Sequence, residues 1–219
     1  MKYIITGING GLGKYLYESI DGSLGIHRHN LNEVISSINS DDVIIHCAFN
    51  KQNVINNYFE YLNDNIFLTK TLFELGNRMV YISSIDVYLQ NNTYSLFKKF
   101  SESIVSQYDK NLILRCPALV GEYMKHNHLF KIKNNDDIGL SADSTFNYIL
   151  YEDVLNVVKS NFVGTYDIVS NSNIDLNSVS DFFNSKTTFG SYKYTTPTTF
   201  KNPINLNKTS IQTLKNYFK

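Results

Sequence analysis

The sequence contains no tryptophan, three prolines and two cysteines in 219 residues, and its 20 basic and 20 acidic residues cancel to a formal net charge of zero. Each scarcity removes a class of protein. Two cysteines make no disulfide framework, and Cys47 and Cys116 both fall in apolar segments that read as strands, which suits buried thiols in a reducing compartment. Balanced charges in no long block leave no footprint for a nucleic acid or an anionic membrane. No apolar run reaches the ~18 residues that cross a bilayer. The segment from Met1 to Gly7 is too short before its glycines for a signal peptide. The location expected is therefore cytoplasmic. A metal is not expected either, because His126 and His128 have no further spaced ligands, and Asp136, Asp137 and Asp143 read as a solvated loop.

What is present is an ordinary globular composition, 42% hydrophobic and 18% charged, long enough for one core or a core with a small lobe. Tyr3 to Ile5 predicts a strand, Leu12 to Ile20 a helix, Ser23 to His27 a weaker strand, Asn32 to Ile38 a helix and Asp42 to Cys47 a strong strand. Val54 to Leu75 has apolar residues at helical spacing and is closed by Gly76, which predicts one long helix. Met79 to Ile82 predicts a strand, Tyr94 to Tyr108 a helix, and Asn111 to Arg115 a strand stopped by Pro117. Beyond Val120 the pattern loosens. Residues 131–145 read as polar loop, 146–158 as a short strand and helix, 164–169 as a last strand, and the tail has helix-like pieces at Leu176 to Phe183 and Ser210 to Phe218. This alternation calls for an α/β fold: a Rossmann-type, doubly wound parallel sheet that binds ligands at the carboxyl ends of its strands. The organisation expected is a single unit with a dinucleotide-binding core over 1–120 and, over 121–219, mostly a small substrate lobe, with 146–170 partly returning to the core.

Between the first strand and first helix stands Thr6-Gly7-Ile8-Asn9-Gly10-Gly11-Leu12-Gly13. A dinucleotide site needs glycine where the turn is tight, where backbone nears the pyrophosphate, and where helix packs on strand. Gly7, Gly10 and Gly13 fill those places, and the amides of the helix start face the phosphates. Further along, Tyr94-Ser95-Leu96-Phe97-Lys98 puts a phenol and an ammonium one helical turn apart on one face. A phenol near pKa 10 is a poor base, and a nearby ammonium favours its phenolate.

The Gly-x-x-Gly-x-x-Gly spacing after a threonine resembles the short-chain dehydrogenase/reductase family. Later landmarks match its extended branch, the sugar-nucleotide epimerases, dehydratases and reductases: Asp42 to Ala48, Asn65, Tyr81-Ile82-Ser83-Ser84-Ile85-Asp86-Val87-Tyr88, the Tyr94/Lys98 pair, Leu114-Arg115-Cys116-Pro117, Tyr151-Glu152-Asp153-Val154 and Gly164-Thr165-Tyr166. They occur in family order from residue 3 to about 170. The resemblance implies an NAD(P)-dependent oxidoreductase or epimerase that moves hydride to or from a carbinol or ketone of a sugar or sugar nucleotide, as in nucleotide-sugar metabolism and polysaccharide synthesis. It assigns catalysis to Ser84, Tyr94 and Lys98: Tyr94 as acid–base, Lys98 lowering its pKa and holding the ribose, Ser84 bonding the reacting oxygen. It implies cofactor contacts from Gly7, Asn9, Gly10, Gly11, Leu12, Gly13, Arg28, Cys47, Ala48, Asn65, Ile82, Tyr94, Lys98 and Pro117. Substrate contacts would come from Ser84, Asp86, Tyr88 and Tyr94. His46 reads as structural.

The departures narrow the reading. His27 stands where NAD-binding members carry an acid, and Arg28 beside it suits a ribose phosphate, so NADP is expected ahead of NAD. Ile85 and Asp86 replace the Asp-Glu pair of the dehydratases, which argues against dehydration. Ala118 stands where epimerases often carry asparagine, and Phe146 lies near the place of an arginine that holds a substrate diphosphate. Reductase is placed ahead of epimerase because a short lobe leaves little room to rotate a keto intermediate. A non-catalytic dinucleotide-sensing regulator is the rival from another class, and the retained Ser84, Tyr94 and Lys98 speak against it. A homodimer through Val54–Leu75 and Tyr94–Tyr108 is expected, with Tyr58, Tyr61 and Phe67 either exposed there or in the core.

Overall fold

The computed structural model describes residues 1–50, 57–89 and 92–219. The chain runs β1 (Tyr3–Thr6), α1 (Gly11–Ser19), β2 (Leu24–Ile26), α2 (Leu31–Ser36), β3 (Val43–His46), α3 (Tyr58–Leu62), a π-helical turn (Asn63–Phe67) and α4 (Leu68–Glu74). Next come β4 (Arg78–Ser84), a 3-10 turn (Ile85–Tyr88), α5 (Thr93–Val105), β5 (Leu112–Cys116), β6 (Ala118–Val120) and α6 (His128–Lys133). They are followed by β7 (Ile138–Leu140), β8 (Thr145–Phe146), β9 (Tyr148–Leu150), α7 (Tyr151–Val158) and β10 (Gly164–Ser170). The chain finishes with β11 (Ile174–Asp175), α8 (Leu176–Phe183), β12 (Phe189–Tyr192), β13 (Pro203–Leu206) and α9 (Ser210–Tyr217).

Seven strands form one sheet in the order β13-β10-β5-β4-β3-β1-β2, every neighbouring pair parallel. Sheets of this kind are buried on both faces, so their strands read as unbroken apolar runs; β3 and β5 are buried along their whole length. One face packs Ile5, Ile45, Val80, Leu112 and Leu114 with Leu16 of α1 and Val154 and Val158 of α7. The other packs Ile4, Ile44, Met79, Tyr81 and Ile113 with Leu72 of α4 and Val105 of α5. A third cluster joins Val120, Leu129, Ile132, Ile138, Tyr148, Leu176, Val179 and Leu214 outside the sheet. The chain leaves β1 for β2 on one side and resumes with β3 on the other. The carboxyl ends of β1 and β3 therefore flank the crevice where such sheets bind ligands.

The sheet carries the doubly wound architecture expected from the sequence, and three local readings change. Residues 131–145 are not all loop: α6 and β7 bury Ile132 and Ile138, single apolar anchors whose polar neighbours hid them. The tail holds β13 as well as its two helices. β13 is an edge strand beginning with proline and only half buried, so its pattern was too weak to read. The expected helix over Val54–Leu75 is, from Tyr58 on, two α-segments around a π turn, while Val54 lies outside the described residues.

Candidate active site

The glycine turn is shaped by close approach. Gly7 has a φ of 76°, and a Cβ there would sit 2.9 Å from the Ala48 amide nitrogen; a Cβ at Gly13 would sit 2.3 Å from the Gly7 oxygen. These two glycines bring β1 against the end of β3 and α1 against the turn. Gly10 is different: its backbone is extended and a Cβ would meet nothing within 4 Å. That open side, at the start of α1, is the room a diphosphate needs, and the first amides of α1 border it. Asn9 is exposed, whereas the Leu12 side chain is in the core, which leaves only its amide for a ligand. The Gly11 N–H donates to the Tyr123 carbonyl at 2.8 Å, and Lys14 Nζ lies 4.0 Å from the centre of the Tyr123 ring. The turn after β6 thus straps the start of α1.

Behind this turn a hydrogen-bond chain fixes the strand ends. Thr6 Oγ1 accepts from the Cys47 and Ala48 amides at 3.1 and 3.0 Å and contacts His46 Nδ1 at 2.7 Å; His46 Nε2 lies 3.0 Å from Thr69 Oγ1, which donates to the Asn65 carbonyl at 2.8 Å. With two donors arriving, Thr6 gives its hydrogen to Nδ1, and His46 donates from Nε2. Burial, with a smaller contribution from the Lys98 charge, pushes His46 down to about 3, so the ring is neutral. Asn65 is the centre of the π turn. Its side chain accepts from the Asn50 amide at 2.7 Å and donates to the Asn50 carbonyl at 3.1 Å, and its own carbonyl also takes Ser101 Oγ at 3.1 Å. The Asn65 carbonyl is thus held by Thr69 and Ser101, and its side chain by Asn50.

Ser84 ends β4, and Tyr94 and Lys98 lie one turn apart on α5. The Tyr94 hydroxyl is hydrogen-bonded to the Ser84 side chain, and Ser84 Oγ accepts from the Asp86 amide at 3.2 Å. Lys98 is buried, donates to the Ile82 carbonyl at 2.7 Å, and lies 4.5 Å from the Phe49 ring centre. Burial pushes the Tyr94 phenol up, the Ser84 bond works against this, and the Asp86 charge adds to the rise. The lowering expected from Lys98 is overturned as the dominant influence: desolvation wins, and Tyr94 is a protonated donor at neutral pH. Cys47 and Ala48 follow β3, Ile82 lies in β4, and Pro117 follows β5, all toward the carboxyl edge of the sheet. The Cys47 thiol is pushed up to about 12 by burial, so it is no nucleophile.

Two expected ligand contacts are engaged elsewhere. Arg28 pairs with Asp64 and, at 3.1 Å, with Glu60. Partners 32 and 36 residues away were invisible to a local reading of the His27-Arg28-His29 segment. Tyr88 donates to Asp167 at 2.7 Å and accepts from Arg115 at 2.8 Å, inside a network in which Arg115 makes two bonds to buried Glu102. Its hydroxyl serves the β4–β5–β10 junction and not a substrate. Asp86 does reach the site, and with it a residue that the sequence reading missed: the Tyr194 hydroxyl donates to Asp86 Oδ1 at 2.6 Å. No local spacing marks Tyr194, which lies 108 residues from its partner.

No family model matches the chain, and no curated protein sequence does. Solved structures do. A dTDP-4-dehydrorhamnose reductase from Bacillus anthracis in complex with NADP aligns with a TM-score of 0.79 at 18% identity, covering 99% of this chain and 97% of that one. A UDP-galactose 4-epimerase gives 0.70 at 15%, covering 99% and 97%. A short-chain dehydrogenase/reductase superfamily protein from Agrobacterium tumefaciens with bound NAD gives 0.67 at 12%, covering 99% and 91%. The fold is therefore a Rossmann-type α/β fold. Within that class it is the one shared by the extended short-chain reductases and epimerases, over essentially the whole chain.

Proposed function

We propose that the chain is a nicotinamide-dinucleotide-dependent enzyme that reduces a ketone of a sugar or sugar nucleotide to the carbinol, or in reverse oxidises that carbinol. The observation that carries this is the Ser84–Tyr94 hydroxyl pair at the end of β4, one helical turn from buried Lys98 and beside the end of β3 that Gly7 touches. The open face at Gly10 and the neighbouring amides fit a dinucleotide pyrophosphate, with the Tyr123 carbonyl giving up the Gly11 amide to it. The cofactor supplies the hydride chemistry when bound. The chain's own residues manage the proton and the orientation. Tyr94, protonated because it is buried, gives its proton to the substrate oxygen on reduction, and Ser84 holds that oxygen by a hydrogen bond. Lys98, one helical turn from Tyr94 and fixed by the Ile82 carbonyl, would bond the nicotinamide ribose.

Reduction is favoured over epimerisation because the short lobe after residue 120 leaves little room to hold and rotate a keto intermediate. NADP is favoured over NAD: Arg28 is the cation at the end of β2, and the Bacillus reductase carries NADP. Arg28 must then exchange Glu60 and Asp64 for phosphate. Residues 1–120 would hold the dinucleotide and 121–219 most of the substrate, with 146–170 returning to the core. The protein would work in the cytoplasm, as a homodimer. Tyr58, Phe59, Phe67, Leu96 and Phe100 expose 56, 70, 48, 43 and 63% of their surface on α3, the π turn and α5, whereas Tyr61 is in the core. The test is a titration with NADPH and NADH followed by a screen of keto-sugars and sugar nucleotides by NADPH absorbance. Binding of neither dinucleotide would end the proposal.

A further inference from the structure

The Asp86–Tyr194 pair is not needed for hydride or proton transfer, yet it is built firmly against the groups that perform it. Tyr194 arrives on a strap laid along β8. Its amide donates to Ser144 Oγ at 3.0 Å, its carbonyl accepts from the Thr145 amide at 2.9 Å, and Thr196 bonds the Thr145 carbonyl through both its amide and its hydroxyl at 3.1 and 2.7 Å. The Tyr194 ring stacks on Phe146 at 4.6 Å, and Phe146 stacks on His128 at 4.2 Å. Three elements of the outer lobe thus converge to hold one hydroxyl. That hydroxyl occupies Asp86 Oδ1 at 2.6 Å, while the Asp86 amide is on Ser84 Oγ and the Asp86 charge reaches Tyr94. A carboxylate has further acceptor sites beyond the one Tyr194 fills. Asp86 is half-buried, and its contacts with Ser84 and Tyr94 set it beside the place where, in the proposed function, those two hydroxyls would hold the reacting oxygen.

Resting on the proposed function, we propose that Asp86, aimed by Tyr194, is the specificity residue for a hydroxyl on the carbon next to the reacting carbonyl. The substrate class is thereby an α-hydroxy carbonyl, and carbonyls lacking that hydroxyl are rejected. The charge selects a donor: an ionised carboxylate only accepts, so it rewards a hydroxyl and leaves a deoxy carbon facing an unsatisfied charge. A site built to bond a substrate hydroxyl discriminates far more strongly than one that only fits its shape. Asp86 contacts substrate in this scheme, and Tyr194 is a positioning residue.

The test compares kcat/KM for dTDP-4-dehydrorhamnose and its 3-deoxy analogue with NADPH, for the parent, Asp86→Asn and Tyr194→Phe. NADPH affinity and circular dichroism are recorded for each to show that the fold is intact. The parent should prefer the hydroxylated probe by ~100-fold or more. Asp86→Asn should bring that ratio within ~10-fold, chiefly by losing the hydroxylated probe, and Tyr194→Phe should lower the ratio while leaving the deoxy rate near the parent's. A parent that uses both probes equally, or variants that lose both by one common factor with NADPH affinity intact, would overturn the inference and leave the proposed function standing. A parent that binds NADPH and turns over neither probe would overturn the inference together with the substrate class.

Discussion

The glycine turn and the substrate rim are built on opposite plans. The turn is largely local: residues 6–13 pack on the end of β3 and under the Tyr123 strap, and Gly7 and Gly13 are forced by distances of 2.9 and 2.3 Å to backbone. The rim is assembled from afar, with Asp86 following β4, His128 on α6, Phe146 on β8 and Tyr194 on the segment after β12. In the proposed function the turn, fixed by backbone, would take one ligand part, the diphosphate, and the rim, fixed by side chains from separate loops, would set the substrate.

Breaking the ends of this comparison gives the largest effects. Lys98→Met removes a buried cation that is bonded to the Ile82 carbonyl, lies one helical turn from Tyr94, and is proposed to serve both the dinucleotide and the proton transfer. Turnover should fall ~10²–10³-fold, and NADPH affinity should fall with it. A variant that loses only turnover would separate the two regions that Lys98 is held to join. Gly10→Val acts on the turn alone. The valine Cβ meets nothing within 4 Å in the folded chain, and extended backbone suits it, so stability should hold while dinucleotide affinity drops at least about tenfold. Unchanged NADPH and NADH titrations would move the phosphate site away from the turn.

Smaller effects sharpen the picture. Arg28→Ala should weaken NADPH by about 1–2 kcal/mol and leave NADH nearly unchanged. The figure is modest because Arg28 is exposed and already has two carboxylate partners. Equal loss of both cofactors would make Arg28 a strut for α3. A further effect concerns pH. His46 is held neutral with its pKa pushed down to about 3 from 6.5, so the unfolded chain binds more protons between those values. Stability should therefore decline as pH falls below about 6.5, by up to about 1.4 kcal/mol per unit from this residue. Urea midpoints at pH 7 and pH 5 measure it, and His46→Asn should flatten the decline.

The same contrast explains what could be read from the sequence. The turn, the strand runs and the Tyr94–Lys98 spacing are short-range patterns, and β1, β3, β4 and β5 follow from continuous apolar runs because both faces of the sheet are covered. Distant pairings were not legible. Arg28 looked free for a phosphate because Glu60 and Asp64 stand on another helix, and Tyr88 looked like a substrate residue because Arg115 and Asp167 lie on β5 and β10. Tyr194 carried no signal among sixteen tyrosines. The π turn at Asn65 was hidden for a different reason: it is a single turn inside a helical run, and no residue type marks it.

The most direct test of the account is Tyr94→Phe. The substitution removes one hydroxyl bonded to Ser84 and keeps the ring packed on Phe49 at 5.0 Å, so fold and dinucleotide affinity should stay near the parent's. With a carbonyl substrate found by the NADPH screen, turnover should drop ~10²–10⁴-fold, the range for losing a general acid–base. Turnover at the parent rate would contradict the account, because the proton would then come from some group other than the one the site is built around.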